Sequence, residues 1–206
     1  MILGIDASNL RTGGGVTHLT ELLRAANPAE HGFSQVIVWS GQATLKQIED
    51  RPWLVKRTEA ILEKSFFQRA LWQRKPLGLR AKAEDCDMLF VPGGSFATDF
   101  RPVVTMSRNL LPFEWRELLR YGGSTLSLKL ALLRYSQSRS FQRANGTIFL
   151  TRYAQDTVLK VTGPLLGQTA IVPHGIHSRF FQLPRTQRPL AEYSDEQPFR
   201  LLYVSI

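Results

Sequence analysis

The sequence contains few of the residues that disulfides, metal clusters and membrane spans require. Cys86 is the single cysteine in 206 residues, so the chain cannot form an internal disulfide or a cluster of thiolate ligands. The four histidines include no pair with the spacing of a helical zinc motif. No apolar run approaches the roughly 20 residues that cross a bilayer, and residues 1–5 lack the features of a signal peptide. We therefore predict a soluble protein of the reducing cytoplasm.

Acidic residues are scarce relative to basic ones. The chain has 17 Asp and Glu against 26 Lys and Arg, which gives a formal net charge of +9. Such a balance favours a polyanionic neighbour, which can be a phosphate, a nucleic acid or an anionic membrane face.

The basic charge concentrates in residues 64–82 and 115–143, where Arg and Lys alternate with Leu, Phe, Trp and Tyr at helical spacing. The commoner explanation of such a pattern is a packed helix with a solvated polar side. The functional alternative is a peripheral contact with an anionic membrane, on its cytoplasmic face. Nucleic acid ranks below the membrane, because no nucleic-acid module or aromatic platform is recognisable.

Short apolar runs alternate with helical patterns along most of the chain. Several of the runs are continuously apolar, which is typical of strands buried on both faces of a parallel sheet. Alternation of this kind predicts an α/β fold, a Rossmann-like, doubly wound parallel sheet with helices on both faces. We expect residues 2–7 to form an interior strand and a helix to open at Val16. The predicted strands are residues 2–7, 35–39, 88–91, 103–106, 147–150 and 170–172.

The last part of the chain differs in composition from the rest. Residues 183–198 are rich in proline and charge, which is typical of a linker. Residues 199–206, FRLLYVSI, then have the pattern of a buried strand. We therefore predict a Rossmann-like domain over residues 1–182, a linker over 183–198 and the first strand of a further domain over 199–206.

Gly13, Gly14 and Gly15 follow the first predicted strand after a polar loop. The loop is too long for the dinucleotide fingerprint, and no Gly-Lys-Ser or Gly-Lys-Thr follows as in a phosphate-binding P-loop. Free N–H groups and the positive end of a helix dipole at this point favour an anion. The alternative is a flexible turn that lets a strand and a helix pack together.

Five weak motifs follow one another in a fixed order along the chain. Their segments are GIDASNLRTGGGVTHLTELLRA (4–25), DMLFVPGGSF (87–96), GTIFLTRYAQDTVLK (146–160), AIVPHGIHSRFFQLP (170–184) and LLYVSI (201–206). Together they resemble family 4 glycosyltransferases of the GT-B fold, and the resemblance covers nearly the whole chain. Segment 170–184 resembles the hinge motif of that family, with His174 where the family usually has Asn and His177 where it usually has Asp.

The resemblance implies the N-terminal, acceptor-side half of a GT-B enzyme. Such an enzyme transfers a sugar, with retention, from a nucleotide-diphosphate sugar to an acceptor hydroxyl. A carbohydrate or lipid-linked acceptor of cell-surface polysaccharide or glycolipid synthesis is expected. No cofactor is expected, and no metal, because helix dipoles and basic side chains stabilise the leaving diphosphate. The carboxylate motif and the base pocket would lie in the second domain, so the chain as given is expected to be inactive alone.

The resemblance also implies the roles of individual residues. Gly13, Gly14 and Gly15 would lie near the donor diphosphate, and Pro173, His174 and Gly175 would form the interdomain hinge. Ser107, Arg108, Asn109 and Glu114 would line the acceptor cleft.

No histidine stands after the fifth strand, where the family often has one; Ser107, Arg108 and Asn109 occupy that place. The catalytic side chain is therefore unassigned, and the candidates are Arg108, Asn109 and His18. The alternatives are a loop or cap role for Asn109, a solvated helix position for His18 and a structural role for Glu114 at a helix start.

Two other classes of function remain open from the sequence. One is a phosphate- or nucleotide-ligand binding module without transferase activity. The other is a basic interaction domain for a membrane or a nucleic acid.

Overall fold

The computed structural model describes residues 1–120, 122, 124–176, 178–181, 183, 184, 186 and 188–200, with the backbone alone for 117–119. Strands and helices alternate along the chain. The strands are β1 (Ile2–Asp6), β2 (Gln35–Trp39), β3 (Leu54–Arg57), β4 (Met88–Val91), β5 (Val103–Ser107), β6 (Gly146–Phe149) and β7 (Gln168–Ile171). The helices are α1 (Gly14–Ala25), α2 (Gln42–Leu45), α3 (Phe66–Arg74), α4 (Pro76–Ala83), α5 (Trp115–Arg120), α6 (Thr125–Arg143) and α7 (Arg152–Thr162). Short 3₁₀ turns cover Pro28–His31, Ala60–Glu63, Leu111–Phe113, Ser178–Phe180 and Leu190–Glu192.

The seven strands form one parallel sheet in the order β3-β2-β1-β4-β5-β6-β7. β1 lies inside the sheet, since Leu3 pairs with Val36 of β2 on one side and with Met88 of β4 on the other. The predicted α/β, doubly wound fold and the interior place of β1 are therefore confirmed. The strand order reverses between β1 and β4, and ligands of open α/β sheets bind beyond the carboxyl ends of the strands at such a switch point.

Helices cover both faces of the sheet with apolar side chains. On one face α3 and α4 bury Trp72 and Leu77 against Ile37 of β2 and Leu89 of β4. On the opposite face α1 and α2 pack on alternate residues of the same strands, and the side chains in this layer include Val16, Leu19, Leu23, Val36, Val38, Leu45 and Ile48. A third cluster packs α6 and α7 against the turn Leu111–Phe113, and the Phe113 ring of that turn stacks on Phe141 of α6 with 5.9 Å between ring centroids.

Three details of the predicted elements are wrong. Helix α1 begins at Gly14 rather than Val16, so Gly14 and Gly15 belong to its first turn. The pattern of residues 63–83 predicts a helical stretch broken at Pro76 and at Gly78. The break at Pro76 is confirmed, since α3 ends at Arg74 and α4 begins at Pro76, whereas Gly78 lies inside α4. Strand β3 was not predicted, because it is a four-residue edge strand that ends in Lys56 and Arg57.

The chain divides into two compact units between Pro173 and His174. The first unit contains the whole sheet. In the second, the described residues include two 3₁₀ turns and an edge-to-face contact between Tyr193 and Phe199, 5.2 Å between ring centroids. The domain bounds at 182 and 198 stay predictions, and the predicted strand at 199–206 falls outside the described residues from 201 onwards.

Candidate functional site

The three consecutive glycines lie at the carboxyl edge of the sheet, and each lacks a side chain for a different reason. Gly13 has φ 69° and ψ −160°, a backbone conformation that is essentially restricted to glycine. A β-carbon on Gly15 would lie 2.9 Å from Nη2 of Arg108 and 3.1 Å from Cδ2 of Leu10. A β-carbon on Gly14 would meet nothing within 4 Å among the described residues, so the protein itself leaves that space open.

Arg108 directly follows β5, and its guanidinium lies against the backbone of Gly15. The loops after β1 and β5 therefore meet at one edge of the sheet. Nη1 of Arg108 is buried and has no hydrogen-bond partner among the described residues. Burial lowers the pKa of Arg108, yet an arginine stays charged at neutral pH. A half-buried cation with an N–H group that lacks a hydrogen-bond partner favours the binding of an anion.

The amino end of α1 adds a second positive feature at the same place. Gly13 is its N-cap, and within the described residues no side chain caps the helix and no acid lies in its first turn. The N–H of Val16 donates to the carbonyl of Gly13 at 3.0 Å, while the N–H groups of Gly14 and Gly15 precede any intrahelical partner. Uncapped N–H groups and the helix dipole favour negative charge.

Asp6 at the end of β1 fixes the path of the loop that leads to the glycines. Its carboxylate accepts a hydrogen bond from the N–H of Ser8 at 3.0 Å and another from Nε2 of Gln73 on α3. Asp6 is fully buried, and burial raises the pKa of its carboxyl. Further along, Thr44 donates to the carbonyl of Leu10 at 2.7 Å and holds the loop against α2. The glycine loop is thus anchored on both faces of the sheet.

Further polar groups without partners border the same edge after β4. The amide of Gln137 on α6 lies beside Gly94, where a β-carbon would be 2.9 Å from Nε2. Oε1 of the buried Gln137 and Oγ of Ser95 have no hydrogen-bond partner among the described residues. One turn earlier, Arg134 covers the ring of Trp115 at 4.0 Å. Buried polar atoms of this kind are rare in folded proteins unless a ligand or water satisfies them.

The other residues predicted for this edge have mixed roles. Ser107 is buried as the last residue of β5. Oδ1 of the exposed Asn109 accepts from the N–H of Leu111 at 3.1 Å, which is the loop role considered as the alternative. Glu114 precedes α5 and accepts a 2.5 Å hydrogen bond from Tyr153, a structural contact. His18 is half-buried, one turn after Gly15 on the same side of α1.

The predicted hinge residues follow β7, whose last residue is Ile171. The N–H of Val172 donates to the carbonyl of Phe149 at 2.8 Å, so the sheet reaches almost to Pro173. Pro173 is the last residue of the first unit, and His174 and Gly175 are the first residues of the second. The change of unit therefore falls inside the predicted hinge, whereas His177 lies outside the described residues.

Sequence reasoning missed Asp6, Gln73, Ser95, Arg134 and Gln137. A lone acid at the end of an apolar strand was the available signal for Asp6. For Gln137 the available signal was a polar residue at a position of α6 that shares the buried side of the helix with Ser140 and Phe141. Among the described residues, no three His, Cys, Asp or Glu side chains group as metal ligands would.

Comparison of the chain with models of known protein families finds no match. Comparison with curated proteins finds no significant match either.

Proposed function

We propose that the chain is the N-terminal, acceptor-side half of a retaining GT-B glycosyltransferase similar to family 4. The whole enzyme would transfer a sugar from a nucleotide-diphosphate sugar to a hydroxyl of a carbohydrate or lipid-linked acceptor. The observation that carries the proposal is the uncapped amino end of α1, which lies beside the unsatisfied guanidinium of Arg108 at the switch point of the sheet. Two positive groups at one open edge suit a diphosphate.

The chemistry follows from where charge develops. When the bond between the sugar carbon and the diphosphate oxygen breaks, negative charge grows on the leaving diphosphate. The N–H groups of Gly14 and Gly15 and the guanidinium of Arg108 would stabilise that charge without reorganising, because the loop is already anchored through Asp6 and Thr44. The unsatisfied polar groups of Ser95 and Gln137, on the β4 side of the same edge, would accept or donate hydrogen bonds to hydroxyls of the acceptor.

The same positive edge also supports a second candidate, a module that binds a phosphate ligand without transferring it. The two candidates differ in turnover and not in binding. A transfer assay on the product of the complete reading frame, with a panel of sugar nucleotides and lipid-linked acceptors, separates them. The transferase predicts acceptor-dependent release of nucleoside diphosphate, whereas the binding module predicts saturable binding without release.

Gly14→Val tests the role of the glycine loop in that assay. The added side chain occupies the open space in front of the helix, where we expect the diphosphate, and transfer should fall on the order of 100-fold. The fold should survive, because no described atom lies within 4 Å of the new β-carbon. Thr17→Val, at an exposed position of the same helix, is the matched control and should leave transfer unchanged. Near wild-type turnover in a folded Gly14→Val protein would contradict the proposed site.

A further inference from the structure

A cleft of about 540 Å³ lies between the end of α3 and the second half of α6, and none of its lining residues belongs to the candidate site. We call it the arginine cleft after Arg74, Arg139 and Arg143. Of its described lining residues, Asp99 alone is acidic, and it pairs with Arg143 at 2.7 Å. Arg101 lies close to Arg143. Burial is the largest cause that lowers the pKa of Arg101, and the charge of Arg143 is the second. Positive charge therefore exceeds negative charge around the cleft.

Helix α6 presents a second apolar stripe opposite to its core. Leu128, Leu132, Tyr135 and Arg139 follow at spacings of four, three and four, so they share one face of the helix. The buried positions of α6 include Leu130, Gln137 and Phe141, which lie on the other side. The three apolar members of the stripe are between 62% and 66% exposed. An apolar stripe that faces away from the core marks an interaction surface.

Helix α3 repeats this arrangement on the other side of the cleft. Phe67, Leu71 and Arg74 follow at spacings of four and three, and the two apolar side chains are 78% and 64% exposed. Each helix thus has an exposed apolar stripe that ends in an arginine of the cleft. Two separate stretches of sequence produce the same pattern at one place.

We propose that this face of the chain lies on an anionic lipid bilayer, with the phosphate of a lipid headgroup in the arginine cleft. Apolar side chains beside a basic cleft match an amphiphile that carries a phosphate next to its acyl chains. A small soluble anion would not use the stripes, and a second copy of the same face would bring two groups of arginines together. The inference does not depend on the transferase proposal, because its residues and its readout are different.

Vesicle flotation of the whole chain tests the proposal. We expect binding to phosphatidylcholine vesicles that contain about 30% phosphatidylglycerol, and little binding to phosphatidylcholine alone. Arg74→Gln with Arg139→Gln should weaken binding about 30-fold, since each basic side chain near an anionic surface contributes roughly a factor of five. Leu132→Gln with Leu71→Gln should also weaken it, by about 10-fold or more, because both apolar side chains leave the interface.

The matched control is Arg24→Gln with Lys46→Gln, which removes the same net charge from α1 and from the end of α2 on the opposite face. It should leave binding within about threefold of wild type. An equal loss in both arginine and control variants would overturn the proposal, because attraction would then follow net charge only. Tight binding of glycerol phosphate that the leucine variants leave unchanged would assign the cleft to a soluble phosphate. Sedimentation showing a dimer that the leucine variants abolish would assign the face to a second copy.

Discussion

Gly15→Ala should move one side chain, Arg108, and leave the fold intact. The new β-carbon would lie 2.9 Å from Nη2 and 3.3 Å from Nη1 of Arg108, both at the far end of a flexible side chain. The guanidinium must therefore retreat by roughly 0.5 Å or more to reach an ordinary contact distance. Alanine is also the better helix former, by up to about 1 kcal/mol, which offsets the tight contact with Leu10. The melting temperature should consequently change by no more than about 4 °C.

The displacement should nevertheless weaken anion binding. Charge-assisted hydrogen bonds are short, about 2.7–2.9 Å, so a shift of half an ångström removes most of their strength. Loss of such a bond corresponds to about 10- to 150-fold in affinity, and displacement should give the lower part of that range. The assay is titration calorimetry with inorganic pyrophosphate on wild type, Gly15→Ala, Arg108→Gln and the double variant. If both changes act through the same guanidinium, the double variant should be no weaker than Arg108→Gln alone.

A matched control separates this effect from a general effect of alanine in a helix. Gly78 lies within α4, and a β-carbon there would be 3.1 Å from Oγ1 of Thr98, a contact similar to the one at Gly15. Gly78→Ala should leave pyrophosphate affinity unchanged. Wild-type affinity in Gly15→Ala together with a large loss in Arg108→Gln would show that the glycine is not what positions the arginine.

Three other predictions follow from backbone strain, buried charge and a buried thiol. Gly13→Ala should lower the free energy of unfolding by about 1–3 kcal/mol in chemical denaturation, because its positive φ and extended ψ suit glycine alone; unchanged stability would mean that the loop adopts another conformation. Burial raises the pKa of Asp6, so its contribution to stability should be greatest below about pH 4, the unfolded value, and fall as pH rises through the folded value. Asp6→Asn removes the titrating carboxyl, and the side-chain amide of Gln73 can reverse to pair with the new amide. The variant should therefore flatten that part of the profile of stability against pH. An unaltered profile would contradict the role of Asp6. Burial raises the pKa of Cys86 to about 12, so iodoacetamide should alkylate it only after unfolding, and rapid native-state alkylation would contradict its placement.

The central strands were predictable because their burial on both faces leaves continuous apolar runs. β1 and β2 have this character, and both were predicted nearly to their observed bounds. β3 was missed because an edge strand needs polar residues. Lys56 pairs with Asp50 at 2.6 Å and Arg57 with Glu84 at 2.6 Å, so charges stand where an apolar pattern would have revealed a strand.

The predicted start of α1 at Val16 was wrong because glycine is a poor helix former, so the sequence of the first turn resembles that of a loop. The reason for Gly15 is tertiary: the side chain that excludes a β-carbon there belongs to Arg108, which lies in the loop after β5. Asp6 and Gln73 are 67 residues apart, and no local pattern connects an acid at a strand end with a glutamine in α3. The meeting of the loops after β1 and β5, in contrast, follows from the parallel sheet itself, because parallel strands share one carboxyl edge.

Backbone amide hydrogen exchange with and without pyrophosphate shows whether the carboxyl edge beside α1 binds a diphosphate. We expect slower exchange of the N–H groups of residues 14–16 and 108–109 when pyrophosphate is present. We expect no such slowing in Gly14→Val or Arg108→Gln, while the arginine cleft variants Arg74→Gln and Arg139→Gln should keep it. Protection confined to residues that line the arginine cleft, or no protection at residues 14–16 at saturating pyrophosphate, would rule out a diphosphate site at this edge.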